Sequence, residues 1–276
     1  MSAVAPSLER RSAERVAASH PAAARPAPLV AAGVTKQRGG IVVLDAVDLT
    51  VASGSVVGLV GPNGSGKTTL LRAVAGLLEI DRGTILVAGE PAGSTAARAA
   101  SALVPDEPTG FDELTIRELA HLMRALWSAG AAAAARENVF VQAFGLEDRV
   151  DQRLGTLSRG LRRQASAVAV FAVAPALVLV DEATATLDPE AVVVLSEAVA
   201  AVAARGCGVL LATQDLHFAD TVCDEIVLLH RGVVIDRGAP ASLRSRHDAA
   251  SLEDVFLAAL GDARLRERVR HAFRAL

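Results

Sequence analysis

A lysine inside a glycine-rich segment is the clearest chemical signal in this sequence. The chain has two lysines against twenty-six arginines, and one of them, Lys67, lies in the segment GPNGSGKTT from Gly61 to Thr69. A glycine, four residues, a second glycine, a lysine and a hydroxyl residue form the spacing of a loop whose N–H groups surround phosphate. A compact ammonium on a flexible stem suits such a loop better than a branched guanidinium. The segment therefore predicts a phosphate-binding loop.

Apolar segments on both sides of this loop predict a strand before it and a helix after it. Ser55–Val60 reads as a buried strand, and Leu70–Leu78 reads as a helix. The loop would then lie at a helix N-terminus, whose free N–H groups and positive dipole end attract anions. The hydroxyl of Thr68 can ligate Mg²⁺. The residues predicted to hold nucleotide phosphates are Gly61, Pro62, Asn63, Gly64, Ser65, Gly66, Lys67, Thr68 and Thr69.

Two adjacent carboxylates form the second signal. The four apolar residues Leu177–Val180 predict a central strand, and Asp181 and Glu182 follow it directly. Parallel sheets bind ligands at the carboxyl ends of their strands. Asp181 could hold Mg²⁺ against phosphates, and Glu182 could orient or deprotonate an attacking water. Taken alone, the pair could also cap a helix, but the phosphate loop earlier in the chain favours the nucleotide interpretation.

Composition restricts the possible classes of protein. A chain of 276 residues can bury one large core, with or without a smaller lobe. The net charge of −3 argues against a general nucleic-acid binder, so we expect no nucleic-acid partner. Cys207 and Cys223 lack metal-type spacing and are predicted to be small apolar residues in a reducing compartment. The longest apolar run, Ala165–Val180, contains Pro175 and predicts a core helix followed by a core strand, not a membrane span.

Three regions are predicted along the chain. Residues 1–28 are rich in alanine, proline and arginine and predict a disordered tail without a secretory signal. Strands alternate with helices through residues 29–244, which favours a largely parallel sheet. A helical lobe is expected at about residues 106–165, with Thr115 and Glu118 forming a capping box. Residues 245–276 predict a helical extension, which includes a helix over 262–276. Docking of this helix on the core or on a sister subunit is favoured over contact with a membrane.

In this order, the motifs resemble those of the ATP-binding cassette (ABC) ATPases. Gly61–Thr69 is similar to the Walker A motif of that family, and Leu177–Glu182 is similar to Walker B. Thr186–Asp188 resembles the D-loop, and Leu157–Leu161 resembles the signature segment. The resemblance extends over about residues 29–244. It implies an α/β P-loop NTPase with a mostly parallel core sheet, an antiparallel β-subdomain and an inserted helical subdomain.

The resemblance also implies roles for particular residues. Glu182 stands at the position of the catalytic carboxylate, and Thr68 and Asp181 stand at the positions that hold Mg²⁺. Ser158 and Gly160 would cap the γ-phosphate of ATP bound by the opposite subunit, and Asp188 would line that composite site. The implied cofactors are ATP and Mg²⁺, and the implied activity is ATP hydrolysis coupled to transport.

The family further implies the partners and the place of action. The implied partners are an integral membrane permease and a second ATPase subunit, which would form a homodimer or a heterodimer with this chain. The implied place of action is the cytoplasmic face of the plasma membrane. Leu252–Leu257 resembles a C-terminal segment of exporter cassettes whose permease is a separate chain, so we expect an exporter. The alternatives are a soluble ABC ATPase in assembly or repair, and a slow nucleotide-binding regulatory subunit.

Several positions depart from the family pattern. Arg38 replaces the aromatic residue that stacks on adenine, and a guanidinium can also stack on a base. Asp106 replaces a glutamine and could reach the metal through water. Gln214 replaces the histidine that contacts the γ-phosphate, and an amide cannot become cationic. Arg159 and Leu161 replace a glycine and a glutamine of the signature segment. These changes predict a slow ATPase or one half of an unequal pair.

One further expectation concerns the residues after the signature segment. Arg162 and Arg163 are adjacent and charged, and they are predicted to form a solvated helix face.

Overall fold

The computed structural model describes residues 26–182 and 184–261 of the chain. The predicted tail lies almost wholly outside these residues, and so does the predicted helix over 262–276. Both stay predictions.

The described residues form two sheets and the helices that cover them. The strands are β1 (Leu29–Arg38), β2 (Ile41–Val51), β3 (Val56–Val60), β4 (Arg82–Val87), β5 (Glu90–Pro91), β6 (Ser101–Val104), β7 (Leu177–Asp181), β8 (Gly208–Thr213), β9 (Glu225–His230) and β10 (Val233–Gly238). The helices are α1 (Lys67–Val74), α2 (Thr95–Ala100), α3 (Ile116–Leu126), α4 (Ala131–Ala143), α5 (Arg159–Val173), α6 (Pro189–Ala204), α7 (Leu216–Val222), α8 (Pro240–Arg246) and α9 (Leu252–Ala259). Short 3₁₀ turns occupy Glu147–Arg149 and Leu154–Thr156.

The central sheet is mostly parallel, as the sequence predicts. Within the described residues it has six strands in the order β10-β9-β3-β8-β7-β6, and every neighbouring pair is parallel except β9 with β10. The other four strands form an antiparallel sheet in the order β2-β1-β4-β5. Because β3 and β7 run in the same direction, the phosphate loop after β3 and the carboxylates at the end of β7 lie at one edge of the central sheet.

Alternating side chains of β3 divide the core between the two faces of the central sheet. Val57 and Leu59 belong to an apolar cluster with α1 and the antiparallel sheet. Val56 and Val60 belong to a second cluster that includes α5 and α6. A strand covered on both faces is apolar along its whole length, and this explains the continuous apolar run before the phosphate loop.

Helices α3, α4 and α5 form the helical lobe. The Thr115 hydroxyl accepts from the Glu118 N–H at 3.1 Å, and the Glu118 carboxylate accepts from the Thr115 N–H at 2.8 Å, so the predicted capping box is present. An ion pair of 3.0 Å between Arg124 and Glu137 joins α3 to α4. The rings of Phe140 and Phe171, 5.8 Å apart, join α4 to α5. The lobe therefore has its own contacts while α5 also packs on the central sheet.

Sequence patterns alone misplace two elements of the antiparallel sheet. Strand β1 is not predicted, because its alanines, glycine and polar residues have little intrinsic preference for a strand. Its pairing with β2 and β4 supplies the stabilisation. The sequence pattern predicts two separate strand-like runs, Ile41–Leu44 and Val47–Val51, but β2 is continuous through Ala46, which has a φ of 47°. The Ala46 N–H donates to the Thr35 hydroxyl at 3.1 Å, where the pairing of β1 with β2 shifts register.

Helix α1 begins and ends earlier than predicted. It starts at Lys67 because the phosphate loop turns into the helix without a linker. It ends at Val74 because the chain turns at Gly76, which has a φ of 70°. A Cβ at Gly76 would lie 2.4 Å from the Cα of Gly93, so this turn requires glycine.

The long apolar run of the sequence is divided between a helix and a strand, as predicted. Helix α5 ends at Val173 and β7 begins at Leu177, and both are buried over most of their length. Among the residues that the structure describes, no helix has both the length and the apolar character that a membrane crossing requires. Cys207 and Cys223 are buried and unpaired, which agrees with their predicted packing role.

Candidate functional site

The phosphate loop connects the end of β3 to the start of α1. The first hydrogen bond of α1 runs from the Leu70 N–H to the Gly66 carbonyl at 3.0 Å, so the amides before Leu70 point out of the helix end, where an anion can accept from them. Gly61 requires glycine, because a Cβ there would lie 2.0 Å from the Leu229 carbonyl oxygen. The Ser65 hydroxyl is buried and has no hydrogen-bond partner within the described residues. A phosphate oxygen would satisfy this hydroxyl.

The Lys67 side chain lies inside the loop with only 4% of its surface exposed. Its ammonium donates to the carbonyls of Gly61 at 2.8 Å and Pro62 at 3.3 Å. It also forms an ion pair of 3.0 Å with the Glu182 carboxylate. The positive charge at the centre of the loop is therefore balanced by the carboxylate that the sequence assigns to catalysis. A phosphate group entering the loop would compete with Glu182 for this ammonium.

Thr68 and Asp181 bring two oxygen ligands together at the start of α1 and the end of β7. The Thr68 hydroxyl donates to Asp181 Oδ1 at 3.2 Å. Burial raises the pKa of Asp181, the hydrogen bond from Thr68 lowers it, and the charges of Asp106 and Glu182 raise it further. A hydroxyl and a carboxylate are hard oxygen donors of the kind that Mg²⁺ prefers, and Mg²⁺ commonly takes its other ligands from water and phosphate. The pair therefore fits the metal that the sequence predicts.

Glu182 is held in an unusual backbone conformation. Its φ is 47°, a left-handed value that residues other than glycine rarely adopt. Its N–H donates to the Ala212 carbonyl at 2.8 Å, and its carboxylate accepts from the Gln214 N–H at 3.3 Å. Such strain persists where the surroundings fix it, and it is frequent at functional sites. The carboxylate of Glu182 thus lies between Lys67 and the end of β8.

Gln214 follows β8 at the same edge of the sheet. Its backbone N–H contacts Glu182, while the residue itself is exposed. Asp215 begins α7 by accepting from the Phe218 N–H at 2.9 Å, which fixes the turn in which Gln214 lies. The amide is therefore available to a ligand on the open side of the site.

The signature segment and the D-loop lie against each other, since Gly160 of the first packs on Thr186 of the second. Ser158 caps α5 by accepting from the Leu161 N–H at 3.3 Å, and Asp188 caps α6 by accepting from the Ala191 N–H at 2.8 Å. A Cβ at Gly160 would lie 2.7 Å from the Thr186 carbonyl oxygen. Within the described residues, no hydrogen bond or ion pair joins Ser158, Gly160 or Asp188 to the phosphate loop.

Arg38 lies at the tip of the hairpin between β1 and β2. It is exposed and pairs with Ile41, whose side chain is 70% exposed. Strand β2 passes close to the phosphate loop, since a Cβ at Gly66 would lie 2.8 Å from the Val43 carbonyl oxygen. The strand that follows the hairpin tip therefore reaches the phosphate loop, while the role of Arg38 stays a prediction. Sequence patterns did not single out Ile41, although an apolar residue next to the stacking position is a recognisable signal.

The prediction of a solvated Arg163 is wrong. Only 2% of its surface is exposed, and its guanidinium donates to both the backbone carbonyl and the carboxylate of Asp106. It also donates to the Thr186 hydroxyl at 3.3 Å. Arg163 shares a helix face with the buried Ala167 and Val170, at the spacing of i, i+4 and i+7, and this pattern could have revealed it.

The neighbouring arginines behave differently from Arg163. Arg162 is partly exposed and forms an ion pair of 3.5 Å with Asp112, which agrees with the predicted solvated face. Arg159 pairs with Glu107, and both side chains are exposed. Asp106, which was predicted as a metal ligand, thus has Arg163 as its partner here, while its charge still reaches Asp181.

The phosphate loop after β3 and the carboxylates after β7 define the chain as a nucleotide-binding P-loop domain. This chain is similar to a solved structure of an ATP-binding subunit of an ABC transporter, with a TM-score of 0.79 and 30% sequence identity. The match covers 84% of this chain and 99% of that subunit. The fold is therefore shared over almost the whole of that subunit.

Sequence comparison gives the family. The family model described as ABC transporter matches residues 44–185. Nod factor export ATP-binding protein I of Mesorhizobium japonicum is 33% identical over 256 residues, which cover 91% of this chain and 75% of that protein. Doxorubicin resistance ATP-binding protein DrrA of Mycobacterium tuberculosis is 34% identical over 227 residues, or 79% of this chain and 67% of that protein. The chain belongs to the ABC transporter family and is an ATP-binding subunit of such a transporter, a class of protein that hydrolyses ATP.

Proposed function

We propose that this chain hydrolyses ATP in the presence of Mg²⁺ and that hydrolysis drives export through a separate membrane permease. Two of its relatives carry names of export and drug resistance, which supports the exporter assignment. The chain would act on the cytoplasmic face of the plasma membrane, held there by the permease.

The contact between Lys67 and Glu182 is the observation that carries the proposal. It puts the phosphate-binding cation and the carboxylate that acts on water 3.0 Å apart, on two different elements of the sheet edge. When ATP phosphates accept from Lys67, the Glu182 carboxylate loses its ion-pair partner. It is then free to orient or deprotonate the attacking water.

The other side chains of this edge take complementary roles. The loop amides and Ser65 bind phosphate oxygens. Thr68 and Asp181 would hold Mg²⁺, which when bound neutralises charge on the phosphates. Gln214 donates a hydrogen bond to the γ-phosphate from the open side. Arg38 stacks on the base.

The composite site requires a second ATPase subunit, identical or different. Ser158, Gly160 and Asp188 have no bond to the phosphate loop of their own chain within the described residues. We infer that they complete the site of an opposing subunit in a head-to-tail dimer. Two ATP molecules with Mg²⁺ would then lie between the subunits.

A cavity between the central sheet and the helical lobe is our candidate for the permease contact. Its volume is about 120 Å³, and its lining includes Leu103, Phe111 and Met123. Phe111 is 45% exposed, and an apolar ring at that exposure is suited to a helix of a partner. The cavity adjoins the segment Pro105–Pro108, so the permease would contact the chain next to Asp106.

A slow rate of hydrolysis is the second part of the proposal. The exposed Gln214 amide is neutral where the family has an imidazole, and Asp106 is bound by Arg163. Both features weaken contacts at the reacting phosphate in the isolated chain. A subunit with little turnover, which regulates a more active partner subunit, would show the same features.

A steady-state assay of phosphate release tests the proposal. We would measure the purified full chain at saturating ATP–Mg²⁺, alone and together with its membrane permease, and use Lys67→Ala as the inactive control. We expect a low rate from the chain alone and a higher rate with the permease, both abolished in the control. A rate that the permease does not change would contradict coupling to transport, and no hydrolysis in either case would leave the regulatory role.

A further inference from the structure

We propose that Arg163 is a positioning residue that competes with the metal ion for the Asp106 carboxylate. The inference rests on the proposed function in one respect, namely that a divalent cation binds with the nucleotide at Thr68 and Asp181. To bind Asp106, the cation must draw its carboxylate away from the buried guanidinium of Arg163. Because Arg163 belongs to the helical lobe, this change of partner links the metal site at Thr68 and Asp181 to that lobe.

The first support is the unequal burial of the two partners. Arg163 is 2% exposed and fixed within α5, whereas the side chain of Asp106 is 49% exposed on the loop after β6. The guanidinium holds both the backbone carbonyl and the carboxylate of Asp106. The carboxylate can therefore rotate into solvent and change partners, while the arginine cannot follow it.

The second support is the shortage of other partners for this charge. Within the described residues, the remaining contact of Arg163 is the Thr186 hydroxyl, and its Nε has no hydrogen-bond partner. A buried cation is costly to leave without an anion. Asp106 is thus the counter-ion of Arg163 in this structure.

The third support is the position of Asp106 relative to the metal ligands. Strands β6 and β7 are parallel with Val104 opposite Val180, so Asp106, two residues after Val104, lies at the same edge of the sheet as Asp181. The carboxylate that balances Arg163 is therefore within electrostatic reach of the place where a cation would bind. One carboxylate cannot fully neutralise both charges, so the two cations compete for it.

The exchange has a structural consequence. Once the Asp106 carboxylate turns to the metal, Arg163 keeps its contacts with the Asp106 backbone carbonyl and with the Thr186 hydroxyl in the turn after β7, but it loses its anionic partner. Helix α5, which starts at the signature segment, then has one bond fewer to the loop after β6. Metal binding would thus loosen the helical lobe at the loop beside the proposed permease contact.

A binding experiment with Mn²⁺ tests the competition without measuring turnover. Mn²⁺ would be titrated into the full chain with a non-hydrolysable ATP analogue, and free Mn²⁺ would be followed by its electron paramagnetic resonance signal. Removal of the competing guanidinium in Arg163→Gln should raise the affinity for Mn²⁺ on the order of fivefold, the lower end of typical coupling between linked sites. The control Arg162→Gln removes an arginine one position away that pairs with Asp112, and it should leave the affinity unchanged.

A second pair of variants shows whether Asp106 carries the effect. In the Asp106→Asn background, Arg163→Gln should no longer raise Mn²⁺ affinity, because the contested carboxylate is gone. A gain that persists in that background, or an affinity that falls in Arg163→Gln, would overturn the proposal. If Arg163→Gln does not fold, Arg163→Lys serves instead, since it keeps the charge but cannot make both bonds; a smaller gain that depends on Asp106 supports the competition, and no gain overturns it.

The parent chain separates failure of this inference from failure of the proposed function. No nucleotide-dependent Mn²⁺ binding in the parent would contradict the proposed function itself. Normal binding in the parent, with no change in Arg163→Gln, would contradict only the competition.

Discussion

The phosphate-loop edge and the lobe junction differ in how their charges are satisfied. The phosphate-loop edge consists of Gly61–Thr69, Asp181 and Glu182, and its buried ammonium is balanced by Glu182 beside it. The lobe junction consists of Asp106, Ser158–Arg163 and Thr186, and there a buried guanidinium holds a half-exposed carboxylate from a loop. The first region follows the family pattern and the second departs from it. The comparison indicates that this chain binds nucleotide phosphates with the residues usual for its family. The contacts between the helical lobe and the metal position differ from those usual for the family.

Variants of the two regions should therefore fail in different ways. A change at the phosphate-loop edge should affect nucleotide binding by the isolated chain. A change at the lobe junction should leave binding of the nucleotide itself intact and act on metal affinity or on turnover, which requires the second subunit.

The largest effect is expected from Lys67→Ala. Loss of a charge-assisted contact to phosphate in a partly desolvated loop should cost about 2–4 kcal/mol of ATP binding free energy. Isothermal titration calorimetry of the isolated chain would measure this loss, and circular dichroism would confirm that the fold is intact. An unchanged affinity would show that Gly61–Thr69 is not the phosphate loop.

A smaller effect, confined to turnover, is expected from Gly160→Ala. The added Cβ would meet the Thr186 carbonyl oxygen at 2.7 Å, so the start of α5 or the turn after β7 must shift. We expect a loss of roughly tenfold in the rate of phosphate release, as happens when catalytic groups are misplaced, and an unchanged ATP affinity. Gly130→Ala is the matched control, because no atom lies within 4 Å of its Cβ position. If Gly160→Ala bound ATP more weakly as a monomer, the lobe junction would also contribute to nucleotide binding, and the two regions would not differ in function as we propose.

The next prediction reverses a departure from the family. In Gln214→His, an imidazole would stand where it can hold the γ-phosphate. One preorganised contact of this kind is worth roughly 10²–10³ in rate. We expect a gain of only several-fold, because Asp106 and Arg38 also differ from the family and are not restored by this change. Phosphate release at saturating ATP–Mg²⁺ would measure the gain, and a lower rate than that of the parent would show that glutamine is the adapted catalytic residue.

The smallest effect is expected from Arg38→Ala. A guanidinium that stacks on an exposed base contributes about 0.5–1 kcal/mol, which is a change of a few-fold in ATP affinity. The matched comparison is Arg38→Phe, which restores an aromatic surface and should bind ATP at least as well as the parent. Equal affinities for all three proteins would remove Arg38 from the site.

Local sequence predicts the phosphate-loop edge well because its geometry is local. The loop, the start of α1 and the carboxylates after β7 each follow from a few contiguous residues. The same holds for the capping box at Thr115, which lies within four residues. Lys67 and Gly61, like Thr115 and Glu118, are close in the chain, whereas the parallel sheet brings Thr68 to Asp181, 113 positions later.

The remaining features depend on residues that are distant in sequence. Arg163 and Asp106 are 57 positions apart, so neither predicts the burial of the other. Strand β1 is fixed by pairing with β4, about fifty residues later, and not by its own strand preference. The positive φ of Glu182 occurs where its N–H, just after β7, bonds to the Ala212 carbonyl of β8, and no local sequence pattern predicts it.

The most direct test of the account is the behaviour of Glu182→Gln. Glu182 balances Lys67 in this structure, and we propose that it acts on water once ATP has bound. The amide keeps the shape but cannot deprotonate or strongly orient water. We therefore expect ATP binding by Glu182→Gln at least as tight as that of the parent, together with loss of phosphate release and an ATP–Mg²⁺-dependent dimer in light scattering. Hydrolysis at the parent rate would contradict the catalytic assignment of Glu182 and with it the central claim.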